Sequence, residues 1–242
     1  MGNLEEALWT QENAQYWHGI AAGGTMKLFV WDLHGTLEKG NERAVIDISN
    51  LVLERFGHAE RFSYGDNSRL YGRKWYEYFA WLFETPDHER DLALQDACFS
   101  LSESSPEIQC RWVRPTPHAP AVLREIKSRH CQVLISNTRA ETLKVFIDAL
   151  EYDDFFSSGN AFAVDGHTER PVNSKADVLA DYLRDAGRGF DEIVIVGDSP
   201  GDMKLKAVAG GITYLFAHPD VEFRQCEPDH RIRDLRAILK RL

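Results

Sequence analysis

Four short apolar runs punctuate the chain: "KLFVW" at 27–31, "CQVLIS" at 131–136, "EIVIVG" at 192–197 and "ITYLF" at 212–216. Each has the length of a strand and lacks the polar alternation of a half-exposed one, the pattern of strands covered on both faces. Helix-period segments lie at 118–129, 139–150, 173–186 and 201–209. Strands that alternate with helices must be joined by crossovers, which are right-handed and give a parallel sheet with helices on either side. The predicted class is therefore α/β, a Rossmann-like three-layer core. Such sheets bind ligands where the strands end.

Residues 41–115 break this rhythm. They hold the helical patterns "AVIDISNLVLERFG", "SRLYGRKWYEYFAWLFE" and "HERDLALQDACFSL" and no run suited to a core strand. A helical block inserted after the first strand is positioned to cover that strand's exit, so it is expected to form a cap. The expected division is an N-terminal extension at 1–25, with one short helical pattern, an α/β core from 26–40 and 116–242, and a helical cap at 41–115. The aromatics Tyr71, Trp75, Tyr78, Phe79 and Trp81 are spaced nearly as a helix spaces its buried side. They suit a substrate cradle, but that spacing favours the cap core.

Composition excludes several classes. A formal charge of −10 without a Lys/Arg cluster repels a phosphate backbone, so nucleic acid is not an expected partner. The four cysteines form no C-x-x-C pair and no zinc-ligand grouping, as in a reduced, cytoplasmic protein. No stretch reaches the ~20 apolar residues of a membrane span. Residues 1–25 do not follow the order of a signal peptide. Oligomeric state is left open.

Polar residues sit at the ends of the strand-like runs. Asp32 follows "KLFVW", Ser136 closes "CQVLIS" with Asn137 after it, and Asp198 and Asp202 lie in "GDSPGD" after "EIVIV". Lys175 opens a helix after a Pro-Val-Asn turn. Strand exits converge in a parallel sheet, so these residues are candidates for one pocket. Gathered carboxylates repel one another unless a cation lies between them, and a hard, oxygen-ligated ion such as Mg²⁺ suits them.

In order and spacing, "WDLHGTLE", "VLISNT", the Lys175 segment "SKADVL" and "VIVGDSPGD" resemble the four motifs of the haloacid dehalogenase superfamily of aspartate-nucleophile phosphohydrolases. The helical insertion resembles the cap of its C1 subclass. The likeness extends over almost everything after Met26. It implies a Mg²⁺-dependent phosphohydrolase acting on a small phosphorylated metabolite, with Asp32 attacking phosphorus to form an aspartyl-phosphate. It also implies that Ser136, Asn137 and Lys175 hold the phosphoryl oxygens. Asp32, the backbone carbonyl of His34 and Asp198 would bind the metal, with Asp202 orienting Lys175 or a metal-bound water.

His34 departs from the pattern, because the phosphatases of that superfamily usually carry a second aspartate there, which protonates the leaving group and later deprotonates water. An imidazole with an unperturbed pKa of ~6.5 suits a group that must give and take a proton. Three roles are open to His34: a working acid/base; a poor activator of water, leaving an aspartyl-phosphate to be passed to another acceptor; or a bystander in a phospholigand-binding or regulatory protein. A phosphonate hydrolase using Lys74 is a further alternative, although Lys74 also reads as a surface charge. Arg69, Arg73, Arg111 and Arg114 suit an anionic substrate or an ordinary charged surface. His118, His167 and His218 fall in no ligand-like grouping.

Overall fold

The computed structural model describes residues 25–165, 173–186, 189–218 and 226–242; all but the last residue of the expected N-terminal extension lies outside them. Six parallel strands form the main sheet: β1 (Lys27–Trp31), β4 (Cys131–Ser136), β5 (Ala161–Ala163), β6 (Glu192–Gly197), β7 (Ile212–Phe216) and β8 (His230–Ile232). Their order is β5-β4-β1-β6-β7-β8. The four apolar runs are β1, β4, β6 and β7. The edge strands β5 and β8 escape prediction because they are three residues long and, in β8, two of the three are polar.

The helices α6 (Ala119–Lys127), α7 (Ala140–Leu150) and α8 (Lys175–Asp185) occupy three of the predicted helical segments, and the fourth splits into α9 (Pro200–Met203) and α10 (Lys206–Ala209). Alternate residues of β1 enter separate apolar clusters: Phe29 and Trp31 pack with α6 and α7, while Leu28 and Val30 pack with Leu179 and Tyr182 of α8. Burial on both faces is why the run contains no polar residue after Lys27.

One polar device lies inside this core. Gln132, fully buried on β4, accepts from Trp31 Nε1 at 3.1 Å and donates to the Leu123 carbonyl at 3.0 Å, so it ties β1, β4 and α6 together.

Between β1 and β4 the chain forms a two-residue antiparallel pair, β2 (Glu38–Lys39) with β3 (Arg114–Pro115), which closes the neck of the insertion. Beyond that neck lie α1 (Asn41–Arg55), α2 (Asn67–Leu70), α3 (Trp75–Phe83), α4 (His88–Ser104) and α5 (Glu107–Trp112). The pattern at 68–84 is broken into α2 and α3 around Gly72, whose φ of 71° lies in the left-handed region. The insertion has its own apolar cluster, which includes Trp75, Tyr78 and Phe79; Trp81 instead stays 38% exposed. Among the described residues no helix is long and apolar enough to cross a membrane.

Replacing Gln132 by Leu leaves the Trp31 N–H and the Leu123 carbonyl without their partner, at a cost of about 1–3 kcal/mol. Urea titration of Gln132→Leu against wild type should show that loss.

Candidate active site

The site begins with register. Trp31 aligns with Leu134 on one side and Val196 on the other, so Asp32, one residue on, leaves the sheet level with Ile135 and Gly197. Ser136 and Asp198 follow one step later. The strand order reverses at β1, which has β4 on one side and β6 on the other, and the cleft at such a switch point is where these ends meet.

Lys175 reaches the cluster from the first turn of α8, which Ser174 caps by accepting from Asp177 N. Its Nζ donates to Asp32 Oδ1 at 2.5 Å and to Asp202 Oδ1 at 2.7 Å. Asp202 is fixed in turn, since its Oδ2 accepts from Ser199 Oγ at 2.6 Å and Ser199 N at 3.1 Å. Gly197 makes room for it; a Cβ there would lie 2.3 Å from Asp202 Cβ.

Oxygens of Asp32, Asp198 and Asp202 all lie within 4.8 Å of one another. Burial raises the Asp32 carboxyl to about 6, a shift that Lys175 opposes and Asp202 adds to. Asp198 is raised well above the usual carboxylate range, by burial and then by the charges of Asp32 and Asp202. Burial alone would lower the Lys175 ammonium; the charges of Asp202 and Asp32 outweigh it and raise it instead. One ammonium among three acids leaves the cluster short of positive charge. An all-oxygen donor set with that deficit fits a hard divalent cation.

Ser136 is fully buried, and among the described residues its Oγ has no hydrogen-bond partner. An orphaned hydroxyl at a strand end is a donor awaiting an acceptor. Asn137 is exposed and lines the cavity in front of Asp32.

His34 is placed beside the same cavity. Its Nδ1 lies 2.8 Å from Glu38 Oε1, and its ring packs edge-on against Phe146 with centroids 4.7 Å apart. The cavity holds about 560 Å³ and is bounded on the insertion side by residues that include Tyr71, Arg73, Lys74, Trp75 and Tyr78. Arg139, at the start of α7, joins insertion to core by an ion pair with Glu103 at 2.8 Å and by stacking over Phe99 at 3.9 Å.

Three side chains at the site had no role in the sequence analysis. Glu38 lies four residues after His34 in a tight turn where the Leu33 carbonyl accepts from the N–H groups of Thr36, Leu37 and Glu38. Tyr71, expected as cap core, hydrogen-bonds Asp198. His218 donates from Nε2 to the Gly35 carbonyl at 2.6 Å and comes within 3.7 Å of Asp198 Oδ2. No spacing marks Tyr71 or His218, because each arrives from a distant segment. Lys74 and Arg73 border the cavity, whereas the Arg114 guanidinium turns back onto the carbonyls of Cys110, Arg111 and Val113.

A family model described as haloacid dehalogenase-like hydrolase matches residues 26–210, which takes in the insertion and the strands β1, β4, β5 and β6 of the sheet. The chain belongs to the haloacid dehalogenase-like hydrolases. Solved structures share the fold of this family member over nearly its whole length. A haloacid dehalogenase-like hydrolase from Streptococcus pneumoniae aligns with a TM-score of 0.69 and 16% identity, covering 90% of this chain and 98% of its own. A predicted phosphoglycolate phosphatase from Haemophilus somnus gives 0.70 and 17%, covering 90% and 99%. CbbY from Rhodobacter sphaeroides, in complex with phosphate, gives 0.62 and 12%, covering 89% and 96%. By sequence, no curated protein matches.

The raised Asp32 carboxyl has a consequence for stability. Its folded value of about 6 exceeds 3.8 for the free group, so the folded chain holds that proton more tightly. The linked stability is complete below pH ~4 and is lost as pH rises through about 6. Without divalent cation, the stability of Asp32→Asn relative to wild type should therefore improve between pH 4 and 7 by on the order of 2 kcal/mol. Thermal melts of both proteins in EDTA across that range would show it; parallel curves would not.

Proposed function

We propose that this protein is a Mg²⁺-dependent phosphohydrolase that cleaves a small phosphorylated metabolite through an aspartyl-phosphate on Asp32. The observation that carries this is the Lys175 ammonium shared between Asp32 and Asp202 beside Asp198. It supplies a carboxylate nucleophile with a fixed cation at its flank and an acidic set suited to a metal. The phosphate-bound CbbY relative and the predicted phosphatase relative are consistent with that chemistry.

In this mechanism the substrate phosphoryl group lies against Lys175, the Ser136 hydroxyl and Asn137, which donate to its oxygens. An Asp32 oxygen bonds to phosphorus as the bond to the substrate oxygen breaks, and the His34 imidazolium gives the departing oxygen its proton. The now neutral imidazole takes a proton from water as that water attacks phosphorus. The Asp32–phosphorus bond then breaks and inorganic phosphate leaves, with Asp32 and His34 restored. Mg²⁺ held by Asp32, Asp198 and the His34 backbone carbonyl would neutralise phosphoryl charge. Asp202, with both oxygens engaged by Lys175 and Ser199, acts on Lys175.

Residues 26–40 and 116–242 form the catalytic core in this proposal, and 41–115 form a cap that excludes bulk water and selects the leaving group. Trp75 and Tyr78 then serve both the cap's apolar cluster and the wall of the substrate cavity.

The test is hydrolysis of a panel of phosphate monoesters with and without Mg²⁺. Asp32→Asn should lose at least ~10³-fold in kcat, since no covalent route is left. His34→Ala should lose ~10²- to 10⁴-fold, the contribution of a positioned acid/base. Wild type should melt at a higher temperature with Mg²⁺, and Asp198→Asn should abolish that rise. A wild-type protein inert on the whole panel, or fully active in EDTA, would refute the assignment.

A further inference from the structure

The loop that delivers the nucleophile carries a second acid that nothing above uses. Glu38 is 1% exposed, and among the described residues it forms no ion pair with a lysine or arginine at hydrogen-bond distance. A carboxylate in that position needs donors around it. Two are present: His34 Nδ1 at 2.8 Å from Oε1, and the backbone N–H of Asn41, at the start of the 15-residue helix α1, at 3.4 Å from Oε2. The paired backbone bridge between His34 and Glu38 holds both residues at that spacing.

We infer that Glu38 is a positioning residue for His34: it holds the imidazole as the tautomer protonated on Nδ1 and leaves Nε2 as the nitrogen available to the substrate. This rests on the acid/base role proposed for His34.

The reasoning is one of donor and acceptor count. An ionised carboxylate only accepts, so a 2.8 Å contact with a ring nitrogen requires the proton on that nitrogen. The Asn41 side-chain nitrogen also approaches Nδ1, at 3.4 Å, but an amide nitrogen only donates and would need Nδ1 bare; the shorter contact, to a carboxylate acceptor, decides for the proton on Nδ1. With Nδ1 engaged, proton exchange with a leaving group or with water must pass through Nε2. The edge-on contact with Phe146 restrains the ring as well, so carboxylate and phenyl together allow few ring orientations. A carboxylate that fixes the tautomer and direction of a working histidine is a recurring arrangement in hydrolases on unrelated folds. Here it follows from the exchange of an acid for an imidazole: an aspartate carries its own two equivalent oxygens and needs no such partner, whereas a histidine has two inequivalent nitrogens.

The inference is tested by a double-mutant cycle with p-nitrophenyl phosphate and Mg²⁺ and by a spectroscopic reading of wild type. Glu38→Gln should lower kcat roughly 10- to 100-fold with KM within about 2-fold, and Glu38→Asp should retain more of the rate than Glu38→Gln. In a His34→Ala background the Glu38→Gln change should have no further effect, because its path runs through the missing ring. A role in folding alone would instead multiply the two losses. In ¹⁵N-imidazole spectra, the neutral histidine signal that disappears in His34→Ala should carry its proton on Nδ1. This reading needs no Glu38 variant to fold. Glu38→Gln with wild-type kcat while His34→Ala is disabled, multiplicative losses, or a proton on Nε2 would overturn the inference and leave the phosphohydrolase proposal standing. Wild-type rates in His34→Ala would overturn both the role of His34 and that of Glu38.

Discussion

The buried ammonium of Lys175 is the interaction on which the site depends. Three carboxylates close together would tend to take up protons or part, and Lys175 gives two of them a common counter-ion at 2.5 and 2.7 Å. Its usefulness comes from where it starts. A lysine at the first turn of a capped helix is anchored at its backbone, so its long stem spans from α8 to the ends of β1 and β6 with little freedom left. The remaining excess of negative charge is a tension held in the fold, which a bound cation would relieve. In the proposed function, stability and metal affinity then depend on the same four side chains.

Much of this arrangement can be read from the chain alone, for a physical reason. Strands buried on both faces leave a signal that period and composition expose, as in "EIVIVG", and a parallel sheet converts strand ends far apart in sequence into neighbours. Asp32, Ser136 and Asp198 are legible because they stand directly at such ends. Edge strands are not: "HRI" carries two polar residues because one of its sides has no neighbouring strand. Tyr71 and His218 are equally hidden, since each reaches the site across a gap that only the assembled fold fixes. Glu38 lies close to Asp32 in sequence, yet a spacing of four residues predicts a contact only on a helix, and here a tight turn brings the pair together.

The insertion is joined to the sheet by unlike means at its two sides. At the neck, β2 and β3 pair through backbone, which resists displacement. Across the cavity, Arg139 meets Glu103 and the ring of Phe99 through side chains alone. Such contacts at a half-exposed arginine are individually weak and salt-sensitive. A body hinged at one side and clasped lightly at the other can open toward solvent without unfolding, which the proposed admission and release of a phosphorylated substrate requires.

Gly35 shows how far these parts constrain one another. Any Cβ at that position would lie 1.7 Å from the Tyr71 hydroxyl and 2.3 Å from Asp198 Oδ2. The smallest residue of the loop after Asp32 is thus dictated partly by a tyrosine from the inserted block. A side chain at residue 35 would demand a shortened tyrosine, and even then the left-handed φ of 75° and the Asp198 carboxylate would still hold the position to glycine. The two segments are sterically coupled although some 36 positions separate them.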